Sequence, residues 1–245
     1  SGITFCEEYK EHNLKSHIHG KPNIKIEDLL NEIVIFAFFL SSVIWIGLTF
    51  YSSLISQEYL KTALVDEKKS YMINIQVNVM WYMRWSSLVS FLLSIYLMSF
   101  LSNIDSGYNI GTSLASLLIT IMFLNTWAII WRKQKRIIAQ TRDWLKCEAR
   151  YDLAIRTNSI FSVPLLALML YSAQAKNVTN PLLEIDGSFG PAWSSTSLWV
   201  SILLIILIEL NLIFGKNRNW MNSSKKIILT GLMFTAVLGY LLRYS

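Results

Sequence analysis

The sequence predicts an all-α integral membrane protein, a bundle of about six transmembrane helices. Of its 245 residues, 53% are hydrophobic and only 16% are charged, whereas a soluble domain carries roughly 25% charged residues. The apolar residues are clustered in runs that approach the ~20 residues a helix needs to cross the hydrocarbon core. The alternating apolar and polar pattern of spanning strands is absent, which argues against a membrane β-barrel.

The apolar runs divide the chain into a polar outer tail, residues 1–32, and a transmembrane helical domain, residues 33–245. The predicted spans are, in order, 33–55, 77–102, 110–131, 158–174, 196–214 and 227–242. Residues 56–76 are polar and only partly amphipathic, which favours a helix at the membrane interface. The fourth span is short and contains Pro164, which neighbouring helices or polar side chains make tolerable in a bilayer.

The distribution of charge predicts the orientation of the spans. The net charge is +6, and most of the 22 Lys and Arg residues lie in the first, third and fifth loops or at the adjoining span ends. The positive-inside rule therefore places those loops inside and both termini outside. We expect a bacterial or archaeal cytoplasmic membrane, with the mitochondrial inner membrane as the alternative. Because the basic residues separate apolar runs, we expect no nucleic-acid partner.

Two groups of polar residues are expected to organise the spans. Side chains near span ends are predicted to hydrogen-bond between helices; they are Asn125, Trp127, Arg156 and Asn158. At the start of the second span, Arg84 and Trp85 lie in an aromatic cluster. Such clusters are typical of the membrane interface, where rings anchor the helix and an Arg extends towards the headgroups.

Glu209 lies in the middle of the fifth span, where a carboxyl group is costly and indicates a functional site by default. It is expected either to carry protons or coordinate an ion, or to make a structural hydrogen bond or ion pair. Asn211 follows two residues later, about 200° around a helix. If one of the two faces the bundle, the other faces outwards, which predicts a protein neighbour on that outer face.

All three histidines, His12, His17 and His19, lie in the tail. They suggest a surface metal ion, and the alternative is a polar tail without metal. The membrane region contains no histidine, which removes the usual axial ligand of b-type haem and the usual ligand of intramembrane copper. We therefore expect no cofactor within the spans, only bound lipids.

Four segments, in order, resemble the membrane domain of the bacterial urate hydroxylase family, also described as the urate oxidase N-terminal domain. They read VIWIGLTFY, MWYMRWSSLVSFLL, NTWAIIWRKQKRII and IRTNSIFSVPLLALM. The resemblance implies a shared helical membrane fold and a link to redox membranes. Where that family carries histidines, this sequence has Phe38, the stretch around Tyr71, and Gln174. We also expect the chain to lack the family's C-terminal cytochrome c domain, so urate oxidation is not expected.

These observations predict a non-catalytic membrane subunit that scaffolds or anchors a larger oxidative or respiratory complex. Its expected partners are the lipid bilayer and other membrane protein subunits. One alternative is an oxidoreductase, a redox module related to urate hydroxylase that works with a separate electron carrier. The other is a small transporter or proton path that uses Glu209.

Overall fold

The structure is a computed structural model that describes residues 26–102, 110–139, 144–175, 196–214 and 223–243. Nearly all of the described residues are helical and none lies in a strand, so the predicted all-α class is confirmed. The chain divides into two compact units, Ser1–Phe36 and Ala37–Ser245. The described part of the first unit is the beginning of a helix, and the packing described below concerns the second unit. His12, His17 and His19 lie outside the described residues.

The helices in chain order are α1 (Ile26–Phe50), α2 (Gln57–Thr62), α3 (Val65–Tyr71), α4 (Val77–Ser102), α5 (Ile110–Leu124), α6 (Trp131–Ile138), α7 (Trp144–Ala175), α8 (Thr196–Phe214) and α9 (Ser224–Arg243). Three π-helical segments join some of them without a break. The segment π1 (Tyr51–Ser56) joins α1 to α2, π2 (Met72–Gln76) joins α3 to α4, and π3 (Asn125–Ile130) joins α5 to α6. A π segment bonds each N–H five residues back rather than four, is rare, and is frequent at functional sites.

Among the described residues, four helical stretches are long and apolar enough to cross a membrane: Leu29–Thr62, Gly111–Ile138, Lys146–Leu170 and Ser224–Leu242. They overlap the first, third, fourth and sixth predicted spans. The fifth corresponds to a shorter apolar stretch, Thr196–Asn211. The second predicted span has the same bounds as α4, which is not among the four. The six-span count therefore stays a prediction.

The structure differs from the predicted boundaries at two places. The first apolar stretch does not end before an interfacial helix at residues 56–76, because π1 and α2 continue it to Thr62. The helix of the fourth predicted span, α7, begins at Trp144 instead of residue 158. Charged residues there indicated a loop, but Arg156 Nε lies 2.6 Å from Asp152 Oδ1, one turn away in the same helix. Pairing within the helix removes the need for either charge to reach water.

The helix α7 is the centre of the second unit. It contacts α5, α6, α8, α9 and the segments π1 and π3. Every residue from 151 to 162 is buried, on all sides of the helix. This buried stretch is polar at many positions, namely Asp152, Arg156, Thr157, Asn158, Ser159 and Ser162. Buried polar groups need hydrogen-bond partners: Thr157 and Ser162 donate to the backbone of α7 itself, whereas Asn158 bonds to neighbouring elements.

The helix α4 packs antiparallel to α1 and lies beside α5. Between α1 and α4, Ser90 Oγ donates to Ser41 Oγ at 2.9 Å, and further along the same pair of chain segments Ser56 Oγ donates to Gln76 Oε1 at 3.3 Å. Between α4 and α5, the rings of Phe91 and Phe123 stack with centroids 4.3 Å apart. In the first pair, residue numbers rise from 41 to 56 along one segment and fall from 90 to 76 along the other. The two segments therefore run in opposite directions.

The outward faces of the helices are apolar. On α8 the exposed large side chains include Trp199, Leu203 and Leu207, and on α9 they include Leu229 and Met233. The enclosed positions, in contrast, hold many Ser, Thr, Asn and Gln side chains. A water-soluble protein rarely exposes contiguous apolar surface on this scale.

The contact between α7 and α9 depends on Gly231. A Cβ added there would lie 2.7 Å from Val163 Cγ2 and 3.3 Å from the backbone oxygen of Ile160, whereas one added at Gly239 would meet nothing within 4 Å. Small residues of this kind let two membrane helices approach closely.

We therefore expect Gly231→Ala to lower the melting temperature of the detergent-purified protein, because overpacking typically costs about 1–3 kcal/mol. Gly239→Ala, in the same helix but exposed, is the matched control, since both substitutions gain the same helix propensity. Thermal unfolding followed by circular dichroism measures the difference. Equal melting temperatures for the two variants would contradict the close approach at Gly231.

Candidate functional site: polar clusters between the helices

Gln76, the last residue of π2, is the centre of one buried polar cluster, here called the Gln76 cluster. Its Nε2 donates to Tyr151 Oη on α7 and, at 3.4 Å, to Ser52 Oγ on π1. Its Oε1 accepts a hydrogen bond from Ser56 Oγ, and its backbone oxygen accepts one from Gln134 Nε2 at 2.9 Å. One side chain thus joins π1, π2 and α7, while its backbone oxygen joins α6.

All members of the Gln76 cluster are neutral. The nearby Tyr51 and Tyr71 hydroxyls lie 3.1 Å apart. Burial raises the pKa of Tyr71 to about 12, so its hydroxyl group stays protonated at neutral pH. The arrangement can hold helices together or bind neutral polar groups, but it offers no acid or base for catalysis near pH 7.

Sequence reasoning missed the Gln76 cluster. Its partners lie 20, 24, 58 and 75 residues from Gln76 along the chain, so no local spacing connects them. The available signal was the presence of Gln and Ser residues at the edges of apolar runs, in YSSLIS and MINIQ. Both of these segments are π-helical.

Glu209 belongs to a second cluster, the Glu209 cluster, which also contains Asn125, Asn158 and Thr126. Asn125 Nδ2 lies 3.2 Å from Glu209 Oε2 and 3.1 Å from Asn158 Oδ1, and donates to both. Asn158 Nδ2 in turn donates to the backbone oxygen of Met122 and to Thr126 Oγ1. The cluster links α8, π3 and α7 through amide groups, and its carboxyl group is the one member that can take up or release a proton.

Asn211 is half-buried on α8 and follows the exposed Leu207 by four residues. Its Nδ2 atom is enclosed by protein and has no hydrogen-bond partner among the described residues, while Trp199, Leu203 and Leu207 are exposed on that helix. Glu209 faces Asn125 inside the bundle, and Asn211 lies about 200° around the helix from it, so the protein neighbour expected beside Asn211 stays a prediction. Two further enclosed donors, Trp45 Nε1 and Ser53 Oγ, also lack a described partner.

Arg84 lies against two tryptophans of the third predicted span. Its guanidinium carbon is 4.8 Å from the ring centre of Trp127 and 3.8 Å from that of Trp131. Trp127 Nε1 donates to Ser87 Oγ at 3.2 Å, one turn along α4 from Arg84. Trp85, which the sequence grouped with Arg84, is instead exposed.

The remaining predicted residues take structural places. Pro164 lies inside α7 and is buried. Arg156 pairs with Asp152 on its own helix, and the exposed fractions of the two side chains are 3% and 10%. Within the described ranges no group of three or more His, Cys, Asp or Glu side chains is placed to hold a metal ion.

No family model, no curated protein and no solved structure matches this chain. The chemistry of the clusters is therefore the main guide to function. Most of the clustered groups are neutral. The exceptions are the carboxyl group of the Glu209 cluster and the guanidinium group of Arg84 close to two tryptophan rings.

The Gln76 cluster can be tested through stability. Gln76→Leu removes the donor to Tyr151 Oη and the acceptor of Ser56 Oγ and leaves both hydroxyl groups enclosed, so we expect a loss of about 1–3 kcal/mol in the free energy of unfolding. Asn74→Leu is the control, because Asn74 is exposed two residues away and its side chain bonds only to Ser70 Oγ in the same helix. Denaturant unfolding in mixed micelles measures both. If the two variants lose equally little stability, the cluster does not hold the helices together.

Proposed function

We propose that the chain is a six-span integral membrane protein that works as a non-catalytic subunit of a larger membrane assembly. The observation that carries the membrane assignment is the inverted distribution of polarity: exposed apolar side chains on long helices, with hydrogen-bonded polar side chains between them. Apolar surface in water costs roughly 25 cal/mol per Å², and in a bilayer it costs nothing. Polar groups enclosed between spans act as interhelical links.

The antiparallel contacts support counting α4 as a span. Successive contacts pair Arg84 with Trp131, Ser87 with Trp127, and Phe91 with Phe123, so α4 runs alongside the third predicted span in the opposite direction over about two helical turns. Two successive spans of one chain cross the membrane in opposite directions, as α4 and the third predicted span would. With α8 as the fifth crossing, the positive-inside rule orients both termini outwards.

The subunit role follows from the way in which the interior polar groups are used. In the Gln76 cluster each neutral side chain bonds to another helix of the same chain, which is the pattern of a scaffold. The resemblance to the urate hydroxylase membrane domain, together with the absence of histidine from residues 33–245, favours a subunit of an oxidative or respiratory assembly that leaves the electron transfer to its partners.

One observation favours a second candidate, a proton path or small transporter. The carboxyl group of Glu209 is bonded to Asn125, which is bonded to Asn158, so a group that can exchange a proton is in contact with a chain of amides between three helical elements. A carboxyl group at such a place is by default a candidate for transport.

The topology predicts a labelling pattern in a background that lacks Cys6 and Cys147. A membrane-impermeant maleimide added outside should label a cysteine introduced within 178–190 and should not label Lys69→Cys, which is exposed but expected inside. Solubilisation in detergent should make both thiols reactive, which controls for accessibility. Labelling of Lys69→Cys in intact cells, with protection of 178–190, would reverse the proposed orientation.

Purification in mild detergent distinguishes the two candidate functions. A subunit should elute with a partner at fixed stoichiometry, and Glu209→Gln should leave the mass of the assembly unchanged, because the amide oxygen still accepts from Asn125 Nδ2. A proton path should instead be a self-sufficient chain that moves protons in liposomes and loses that flux in Glu209→Gln. A haem Soret band at one equivalent per chain would contradict both and indicate the redox module.

A further inference from the structure

Two cations lie against one tryptophan ring at the junction of π3 and α6. The guanidinium carbon of Arg84 is 3.8 Å from the ring centre of Trp131, and Lys135 Nζ is 4.1 Å from the same centre. We call Arg84, Trp127, Trp131 and Lys135 the cation–tryptophan cluster. The ring faces attract the cations and fix their positions, so both positive charges are held at the Trp131 ring.

No carboxylate compensates these charges in the described part of the chain. The ion pairs among the described residues are Lys61–Glu58 and Arg156–Asp152, and neither involves the cluster. Arg84 Nε is enclosed without an acceptor. The helix α6 itself reads WRKQKRII, with four basic residues and no acidic one. The site thus presents guanidinium and ammonium donors whose natural partner is an anion.

The position of the cluster says which anion fits. Arg84 is near the start of α4 and Trp131 near the end of the apolar stretch Gly111–Ile138, so the cluster lies where apolar helix gives way to basic sequence. Trp81, Tyr82 and Trp85 are exposed on α4 beside it. Exposed aromatic rings next to basic groups are typical of the level of the lipid headgroups.

We propose that the cation–tryptophan cluster binds the phosphate of an anionic phospholipid, with Arg84 and Lys135 as its cationic contacts. This inference rests on the proposed membrane location and adds a specific ligand to it. A guanidinium group presents donors in a fork that matches phosphate oxygens. The acyl chains would lie against the exposed apolar side chains of α4, which a free phosphate ion would leave uncovered. A zwitterionic lipid brings its own ammonium group and fits two uncompensated cations less well.

The test measures lipid retention by the detergent-purified full chain, using phosphatidylglycerol and phosphatidylcholine with identical acyl chains and native mass spectrometry as the readout. The parent should retain phosphatidylglycerol in preference. Each basic residue near an anionic surface contributes about 1 kcal/mol, which corresponds to about five-fold in affinity. Lys135→Gln and Arg84→Gln should each weaken phosphatidylglycerol binding by about five-fold, and Arg84→Lys should restore part of the loss.

Lys69→Gln is the matched control, since Lys69 is an exposed lysine on another helix, α3, on the same predicted side of the membrane. It should bind phosphatidylglycerol as the parent does. Lys135 is exposed, so its variant keeps the test valid even if Arg84→Gln unfolds.

Three results would overturn the lipid site: equal retention of the two lipids, Lys135→Gln binding as tightly as Lys69→Gln, or displacement of the lipid by inorganic phosphate at equal concentration. A chain that stays monodisperse without detergent would instead overturn the membrane proposal. The two failures are therefore distinguishable.

Discussion

The rest of the structure depends on one constraint, the burial of a polar helix on all sides. In α7 the stretch 151–162 is fully enclosed and carries hydroxyl, amide and charged groups, each of which is costly to enclose without a partner. The hydroxyl groups of Thr157, Ser159 and Ser162 donate to the backbone of α7 itself, and Arg156 pairs with Asp152. Neighbouring elements supply the other partners: Gln76 for Tyr151, Asn125 and Met122 for Asn158. The arrangement of the surrounding helices follows from these pairings, because each pairing fixes the height and the rotation of one helix against α7.

The same constraint separates two kinds of polar residue. Groups bonded to other helices of the chain have their hydrogen-bonding capacity used within the fold, and they hold the bundle together. The cation–tryptophan cluster is different, since its charges are positioned by rings that accept no proton and carry no charge. Its electrostatic capacity remains available to something outside the chain. A polar group's partner therefore indicates its role better than its depth in the bundle does.

The sequence predicted the helices better than it predicted their contacts. Bounds of α4 and α8 follow from apolar runs flanked by polar or Gly-containing segments, and they agree with 77–102 and 196–214. The start of α7 could not be predicted in this way, because Asp152 and Arg156 look like loop residues until their mutual pairing is known. The Gln76 cluster was missed for a related reason: Gln and Ser at the edges of apolar runs do not by themselves say which of them pair, and the partners are at least 20 residues apart in sequence.

The three π segments change the phase of the helices that contain them. Each holds one residue more than an α-helical path would need, so the side chains before and after it are turned by about 100° relative to an uninterrupted α-helix. A single constant period cannot describe the apolar faces across Tyr51–Ser56, Met72–Gln76 or Asn125–Ile130. These are also the places where the loss of one residue can be absorbed, by conversion of π to α, with both flanking faces kept in position. The same loss within 151–162 would rotate enclosed polar groups away from their partners.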